Sequence, residues 1–344
     1  MTSRSYRPLP LAGEGRGEGQ PCERREGRGE GQPRERRLAL VAVLLAAAAF
    51  AACGNYSNED LEFMNAVPAR QDFVASIPRD LMPANEAELA KDTHGVINTF
   101  NGALDFLKIA DVIRMYPPTS RIPDGRIWGP APDSNHAGWQ WRFVMTRDAT
   151  TPDQFDYHFD EQPVGAGDKW STLLSGDFLA TGGGARRGVG HFTLQTDDAR
   201  LAGFPFDRGT DGSLLKTLDI TYSTAEYPIS VVMKMVLYPN ASNLPPDYTT
   251  TSMINYTYEA LETGQGGMEF IATDATGKTL TVASRWLASG QGRADATGVD
   301  PSSGASLTWT ECWDDSFTSV YENKSWDPAN VTGNPALCPD IPTL

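Results

Sequence analysis

The sequence predicts a mainly β fold, a long and curved antiparallel meander, half-open and barrel-like, with one N-terminal amphipathic helix. Three observations carry this. Beyond Pro118 apolar side chains recur at every second residue, as in Trp139, Trp141, Phe143 and Met145, which is the period of a strand with one buried face. The runs end in turn-forming clusters such as Gly182-Gly183-Gly184, Pro239-Asn240, Gly264–Gly267 and Gly290–Gly292. Helical and strand-like stretches do not alternate as a parallel α/β sheet requires. A closed barrel and a two-sheet sandwich satisfy the same pattern and stand as alternatives.

Residues 1–33 have no part in that fold. Glu14–Arg25 reads EGRGEGQPCERR and Glu26–Arg37 reads EGRGEGQPRERR, a tandem repeat of Gly, Glu, Arg and Gln that offers no apolar core. It reads as a non-structural leader, translated upstream of the true start.

The next segment, 34–52, reads as a signal peptide. Arg34, Arg36 and Arg37 precede a 15-residue apolar run from Leu38 to Ala52, and small residues close it. The run falls short of the roughly 20 apolar residues that span a bilayer. Directly after it, Phe50-Ala51-Ala52-Cys53-Gly54 resembles the lipobox of bacterial lipoproteins, with Phe50 where that family usually has leucine. The resemblance implies cleavage before Cys53, lipidation of Cys53, and a lipid bilayer as partner through the acyl chains. Gly54 stands where an aspartate would imply retention at the inner membrane. By the same resemblance the protein is expected in the cell envelope at the outer membrane, facing the periplasm or the surface.

Of the 29 Lys/Arg and 44 Asp/Glu, nine and six precede Cys53, which leaves 20 and 38 and a net charge of −18. Such a chain repels phosphate backbones, so nucleic acid is excluded as a partner. Of the four cysteines, Cys22 lies in the leader and Cys53 is the lipid site. Cys312 and Cys338 remain as an even pair in an exported chain, where the compartment is oxidising, and are expected to form a disulfide.

Residues 53–83 read as the lipidated N-terminus and a tether, with at most a short helix near Glu59–Asn65 and stops at Pro68, Pro78 and Pro83. The amphipathic helix falls within 84–116. Asn85 and Glu88 make a capping box, Leu89, Val96, Phe100, Ala103 and Leu107 share one face, and Pro117-Pro118 ends it. That face is expected to pack on the sheet. The remaining 117–344 form the antiparallel β domain, with ten to twelve strands between 120 and 325. Alternation continues in Phe155, Tyr157 and Phe159, in Leu218, Ile220 and Tyr222, in Val231, Met233, Met235 and Leu237, in Ile254, Tyr256 and Tyr258, and in Leu280, Val282, Ser284 and Trp286. A meander of this length must curl or close. With a helix against one side it resembles the half-barrel folds of several bacterial envelope lipoproteins and lipoprotein carriers. The segments Ser284-Arg285-Trp286-Leu287, Gly290–Asp295 and Trp309–Trp313 resemble uncharacterised envelope lipoproteins, a likeness that brings no activity with it.

Motifs for chemistry are sparse. His94, His136, His158 and His191 form no metal-spaced cluster. Ser213-Leu214-Leu215-Lys216 matches SxxK but precedes a strand-like run and lacks companion motifs. Asp207 and Asp211, with Asp197 and Asp198 upstream, are candidates for a loose cation site, although Gly209 and Leu218 stand where a calcium loop needs ligands and a polar hairpin accounts for the same residues. The stretch Gly182–Gly190 lacks a phosphate-loop lysine, and its Arg186 and Arg187 are an anion-site candidate. Trp139, Trp141, Trp286, Trp309, Trp313 and Trp326 suit either a sheet core or the wall of a hydrophobic or sugar-binding cavity. No catalytic residue and no cofactor is assigned. The expected function is that of a non-enzymatic envelope lipoprotein that binds a hydrophobic ligand or an envelope protein, or serves structurally. The alternatives are a secreted hydrolase or carbohydrate-active domain, resting on Asp197, Asp198, Asp314 and Asp315, and a cation-binding surface protein.

Overall fold

Strands dominate the described residues and pair in sequence order. The computed structural model describes residues 56–78, 86–201, 203–204, 214–238, 252–273 and 279–341. Among them lie β1 (Ser120–Ile122), β2 (Gly125–Pro132), β3 (Trp139–Arg147), β4 (Gln154–Pro163) and β5 (Ser171–Ala180). These continue into β6 (Gly188–Gln195), β7 (Leu214–Ser223), β8 (Ile229–Tyr238), β9 (Ser252–Ala260) and β10 (Gly266–Thr273). The ladder ends with β11 (Thr279–Trp286), β12 (Gly292–Val299), β13 (Ser306–Trp313), β14 (Ser319–Lys324) and β15 (Thr332–Gly333). Each strand pairs with the next in one sheet ordered β1 to β15, and the ladder does not close on itself. The mainly β meander is therefore the fold, and neither a closed barrel nor a sandwich.

Fourteen of the strands lie between 120 and 325, more than the expected ten to twelve, because some carry no apolar alternation. The inward positions of β12 are Gly292, Ala294, Ala296 and Gly298, small residues over which a helix lies close. β1 and β15 are only three and two residues long.

The alternation elsewhere matches the buried face. Phe143, Met145, Phe155, Tyr157, Leu218, Ile220, Tyr222, Val231, Met233, Tyr256, Tyr258, Leu280, Val282 and Trp286 are all buried in one continuous core that runs from β3 to β13. A single sheet can bury such a core only by wrapping around what covers that face. Several of the large aromatics lie over a glycine of the neighbouring strand. Trp286 is in register with Gly266, where a Cβ would fall 2.7 Å from its Cζ2, and Tyr157 is in register with Gly176, where a Cβ would fall 2.7 Å from its hydroxyl. Trp286, Trp309 and Trp313 are fully buried core, and Trp141 and Trp326 pack against it.

Helices cover the inner face. They are α1 (Asn58–Ala66), α2 (Glu88–Ala103) and α3 (Ile109–Met115), the last two joined by a 3-10 turn at Leu104–Lys108, with a short α4 (Asp197–Leu201) between β6 and β7. Leu89, Ala90, Ile97, Phe100, Leu104, Leu107 and Ile113 pack into the sheet, so the single predicted helix is two helices joined by a 3-10 turn, with the expected apolar face. Asn85 of the predicted capping box lies outside the described residues. The observed N-cap is Ala87, which offers no side-chain oxygen. Glu311 on β13 replaces it, accepting from Glu88 N–H at 3.1 Å and Leu89 N–H at 2.6 Å.

The tether expected over 53–83 is not a tether where it is described. Ser57 and Asp60 form a capping box for α1, and Phe63, Ala66, Val67, Phe73, Ala75 and Ile77 are buried in the common core. Phe63 meets Phe155 edge-on at 5.3 Å and Phe73 meets Tyr222 at 4.6 Å. Pro68 and Pro78, which look like stops in the sequence, punctuate a packed segment, and Pro83 lies outside the described residues.

Cys312 on β13 is bonded to Cys338, beyond β15, with Cα atoms 5.3 Å apart and 26 residues of separation. The bridge ties the C-terminal segment to the sheet. Reducing it is expected to lower stability by about 3 kcal/mol through released chain entropy. Urea midpoints with and without reductant check this, and equal midpoints would refute it.

Candidate functional site

The outer face of the sheet carries acid–base ladders. On it Asp160 accepts from Arg142 Nε at 2.8 Å and Thr172 Oγ1 at 2.7 Å and lies 2.9 Å from His158 Nδ1. Asp219 lies 2.9 Å from His191 Nε2. Asp295 binds Arg293 at 2.8 Å and Thr310 at 2.9 Å, with Arg285 at 3.2 Å. Burial alone would raise the carboxyls of Asp160 and Asp295, but these partners outweigh it and hold both below the usual carboxylate range. Such acids stay ionised and act as cross-strand ties.

One step along β4 the environment inverts. Successive side chains of a strand point to opposite faces, so Glu161 lies on the inner side with Phe155, Tyr157 and Phe159. It is 3 % exposed, and its Oε2 has no hydrogen-bond partner. Burial, aided by the Asp133 carboxylate, pushes Glu161 up to about 8. Asp133, in the loop after β2, is ion-paired with His136 Nδ1 and accepts from Asn135 N–H at 2.8 Å. The Phe204 ring lies tilted 4.5 Å from His136 and meets Trp139 edge-on at 5.0 Å, and the bulged Leu173 joins them. A carboxyl that keeps its proton at neutral pH beside a carboxylate–imidazole pair can donate a hydrogen bond or a proton. It is the most chemically distinctive cluster among the described residues, and no group of three potential metal ligands occurs among them.

Neither a family model, nor a curated protein, nor a solved structure matches the chain. The functional reading therefore rests on geometry.

The sequence candidates fall elsewhere. Cys53, Asp207, Asp211 and Ser213 lie outside the described residues, and Lys216 sits in β7. Asp197 and Asp198 open α4, and Asp197 accepts from the Tyr238 hydroxyl at 3.1 Å. Asp314 closes the turn before β14 by accepting from Ser316 and Thr318 N–H. Asp315 shares that turn, so the two acid pairs lie between β6 and β7 and between β13 and β14. Arg186 is not an anion site, because Asp72 already holds its guanidinium at 2.8 Å, and Arg187 stacks on Tyr227 at 4.9 Å. His94 is buried and ion-paired with Glu86, and its ring meets Phe317 at 4.9 Å. Sequence reading missed Glu161, although a signal was available. It stands two residues beyond Phe159, at the inward parity of its strand.

A groove of about 650 Å3 between α1 and the ends of β3 to β5 is open and partly polar, with Glu62, Arg147 and Asp153 beside Phe155 and Phe178. The inner face, where a carrier would hold its ligand, is occupied by Leu89, Ile97, Phe100, Leu107 and Ile113.

Proposed function

We propose that this chain is an acylated protein of the bacterial cell envelope, held on a bilayer through Cys53, which binds or braces through its surface and does not carry a hydrophobic ligand within its sheet. The observation that carries the second half is the filled inner face, where the chain's own helices occupy the volume an apolar ligand would need. The lipobox-like Phe50–Gly54 supports the first half.

Two measurements test it. Cys53→Ser is expected to move the protein from the membrane to the soluble fraction, and continued membrane retention would overturn the anchor. Native mass spectrometry of the gently extracted protein is expected to show the acylated chain without a stoichiometric second lipid. A tightly held lipid, beyond those on Cys53, would overturn the filled-core reading.

The Glu161–Asp133–His136 cluster favours one second reading, a hydrolase that uses Glu161 as general acid. Turnover of aryl esters or glycosides that disappears in Glu161→Gln would support it, whereas turnover unchanged in that variant would remove it.

A further inference from the structure

Some of the large exposed apolar side chains lie where the folded body begins. Tyr56 is the first described residue, and its hydroxyl donates to the Arg114 carbonyl at 3.3 Å. The next residue, Ser57, already caps α1. Only Gly54 and Asn55 separate Tyr56 from Cys53, so the connection spans at most about 11 Å when fully extended. The polar layer on one side of a bilayer is about 5–8 Å deep. A protein anchored at Cys53 therefore keeps the surface around Tyr56 within a few Å of the lipid headgroups.

That surface is suited to the position. Met115 and Tyr116, which directly follow Arg114, are 64 % and 61 % exposed. Leu61 and Ile122, also exposed, adjoin Asp60 and Arg121, which bind one another at 2.7 Å. Four of the twelve large exposed apolar residues thus neighbour the first helix and the residues bonded to it. Tyrosine is a preferred residue of the membrane interface.

Charge is arranged in the same sense. Arg121 and Arg126 bind Asp60, Arg126 also binds Glu59, Arg147 binds Glu62, Arg186 binds Asp72, and Arg114 donates to the Val67 carbonyl. Five of the 20 basic residues beyond Cys53 converge on this one segment, in a body carrying 38 acids. The end nearest the anchor is locally balanced, while the net negative charge falls on the rest of the body. An anionic bilayer repels the rest more strongly than this end.

We propose that the end formed by Tyr56, Leu61, Met115, Tyr116 and Ile122 docks on the bilayer, with Met115 and Tyr116 in the headgroup layer, so that the acylated domain stands in one orientation. The proposal rests on the Cys53 anchor, and its test separates the two. The acylated chain is reconstituted in vesicles of phosphatidylethanolamine and phosphatidylglycerol. A nitroxide is carried at one introduced cysteine in each variant, Met115→Cys, Tyr116→Cys, Ile122→Cys, Ile271→Cys or Val299→Cys. Labels at 115, 116 and 122 are expected to lose collisions with an aqueous nickel chelate and gain them with oxygen. Labels at 271 and 299, exposed on β10 and β12, are expected to stay fully accessible to the chelate. If the protein floats with the vesicles and all five labels are equally accessible to the chelate, the docking surface is wrong and the anchor stands. Failure of the unlabelled protein to float overturns both.

Discussion

Asp60→Ala is expected to cost about 3–5 kcal/mol of stability, the range for leaving one partner of a buried ion pair alone. Asp60 is 0 % exposed and accepts from Arg126 Nε at 2.6 Å, Arg121 Nη2 at 2.7 Å and Ser57 N–H at 2.9 Å. Arg126 is itself buried, so the substitution leaves its guanidinium with only Glu59 and backbone carbonyls as partners, and it removes the carboxylate half of the α1 capping box while Ser57 remains. Urea unfolding measures the loss. Asp60→Ala combined with Arg126→Met is expected to recover part of it, since the buried guanidinium is then gone. A loss below about 1 kcal/mol would mean that the contact contributes no more than an exposed pair. Acid is expected to act late on this pair. Burial would raise the Asp60 carboxyl, but hydrogen bonds from Arg121, Ser57 and Arg126 hold it well below the usual range. Its contribution is therefore present above the ordinary carboxylate pKa and is lost only as pH falls through the lowered folded value.

Raising the pH from 5 to 8 is expected to weaken the fold, by the opposite linkage. Burial raises Glu161 to about 8 and Glu311 to about 7, from an ordinary 4.5. For Glu311 repulsion from Glu322 adds to burial, against the amides of Leu89 and Glu88, which favour the charged form. A carboxyl whose folded pKa is raised binds more protons in the native state, so its stabilisation is complete below 4.5 and is lost as pH rises through the folded value. At about 1.4 kcal/mol per pH unit, Glu161 alone represents several kcal/mol. Glu161→Gln keeps the shape without the charge. It is expected to flatten the pH profile and to raise the melting temperature at pH 8 but not at pH 5. Thermal melts of both proteins at the two pH values decide it, and parallel profiles would show that Glu161 is not held neutral by burial.

Strand residues differed in how legible they were. Alternation of Val231, Met233 and Met235 announces a buried face because a pleated backbone enforces period 2 whatever lies opposite. Ala294 and Ala296 are equally buried but carry no such signal, since their size is set by the helix packed above them. The candidate site was less legible than the fold. Glu161 carries a parity signal in its own strand, but its raised pKa depends on Asp133, 28 residues away in sequence, and on burial that no local pattern records. The segment 56–78 looks like a tether because its short apolar pieces lie between prolines. It folds because the sheet supplies a surface and five arginines supply partners.

By itself the sequence determined the features that a short stretch of chain encodes. These are the strand period, the apolar face of the long helix and the even pair Cys312 and Cys338. Only the tertiary structure decided which ends of the chain meet. Glu311 caps a helix 222 and 223 residues before it, and Arg126 closes on Asp60 across 66. The physical reason is that periodicity follows from backbone geometry within a few residues, whereas a cap, a buried charge or a docked segment owes its energy to groups that become neighbours only when the sheet has wrapped around its helices.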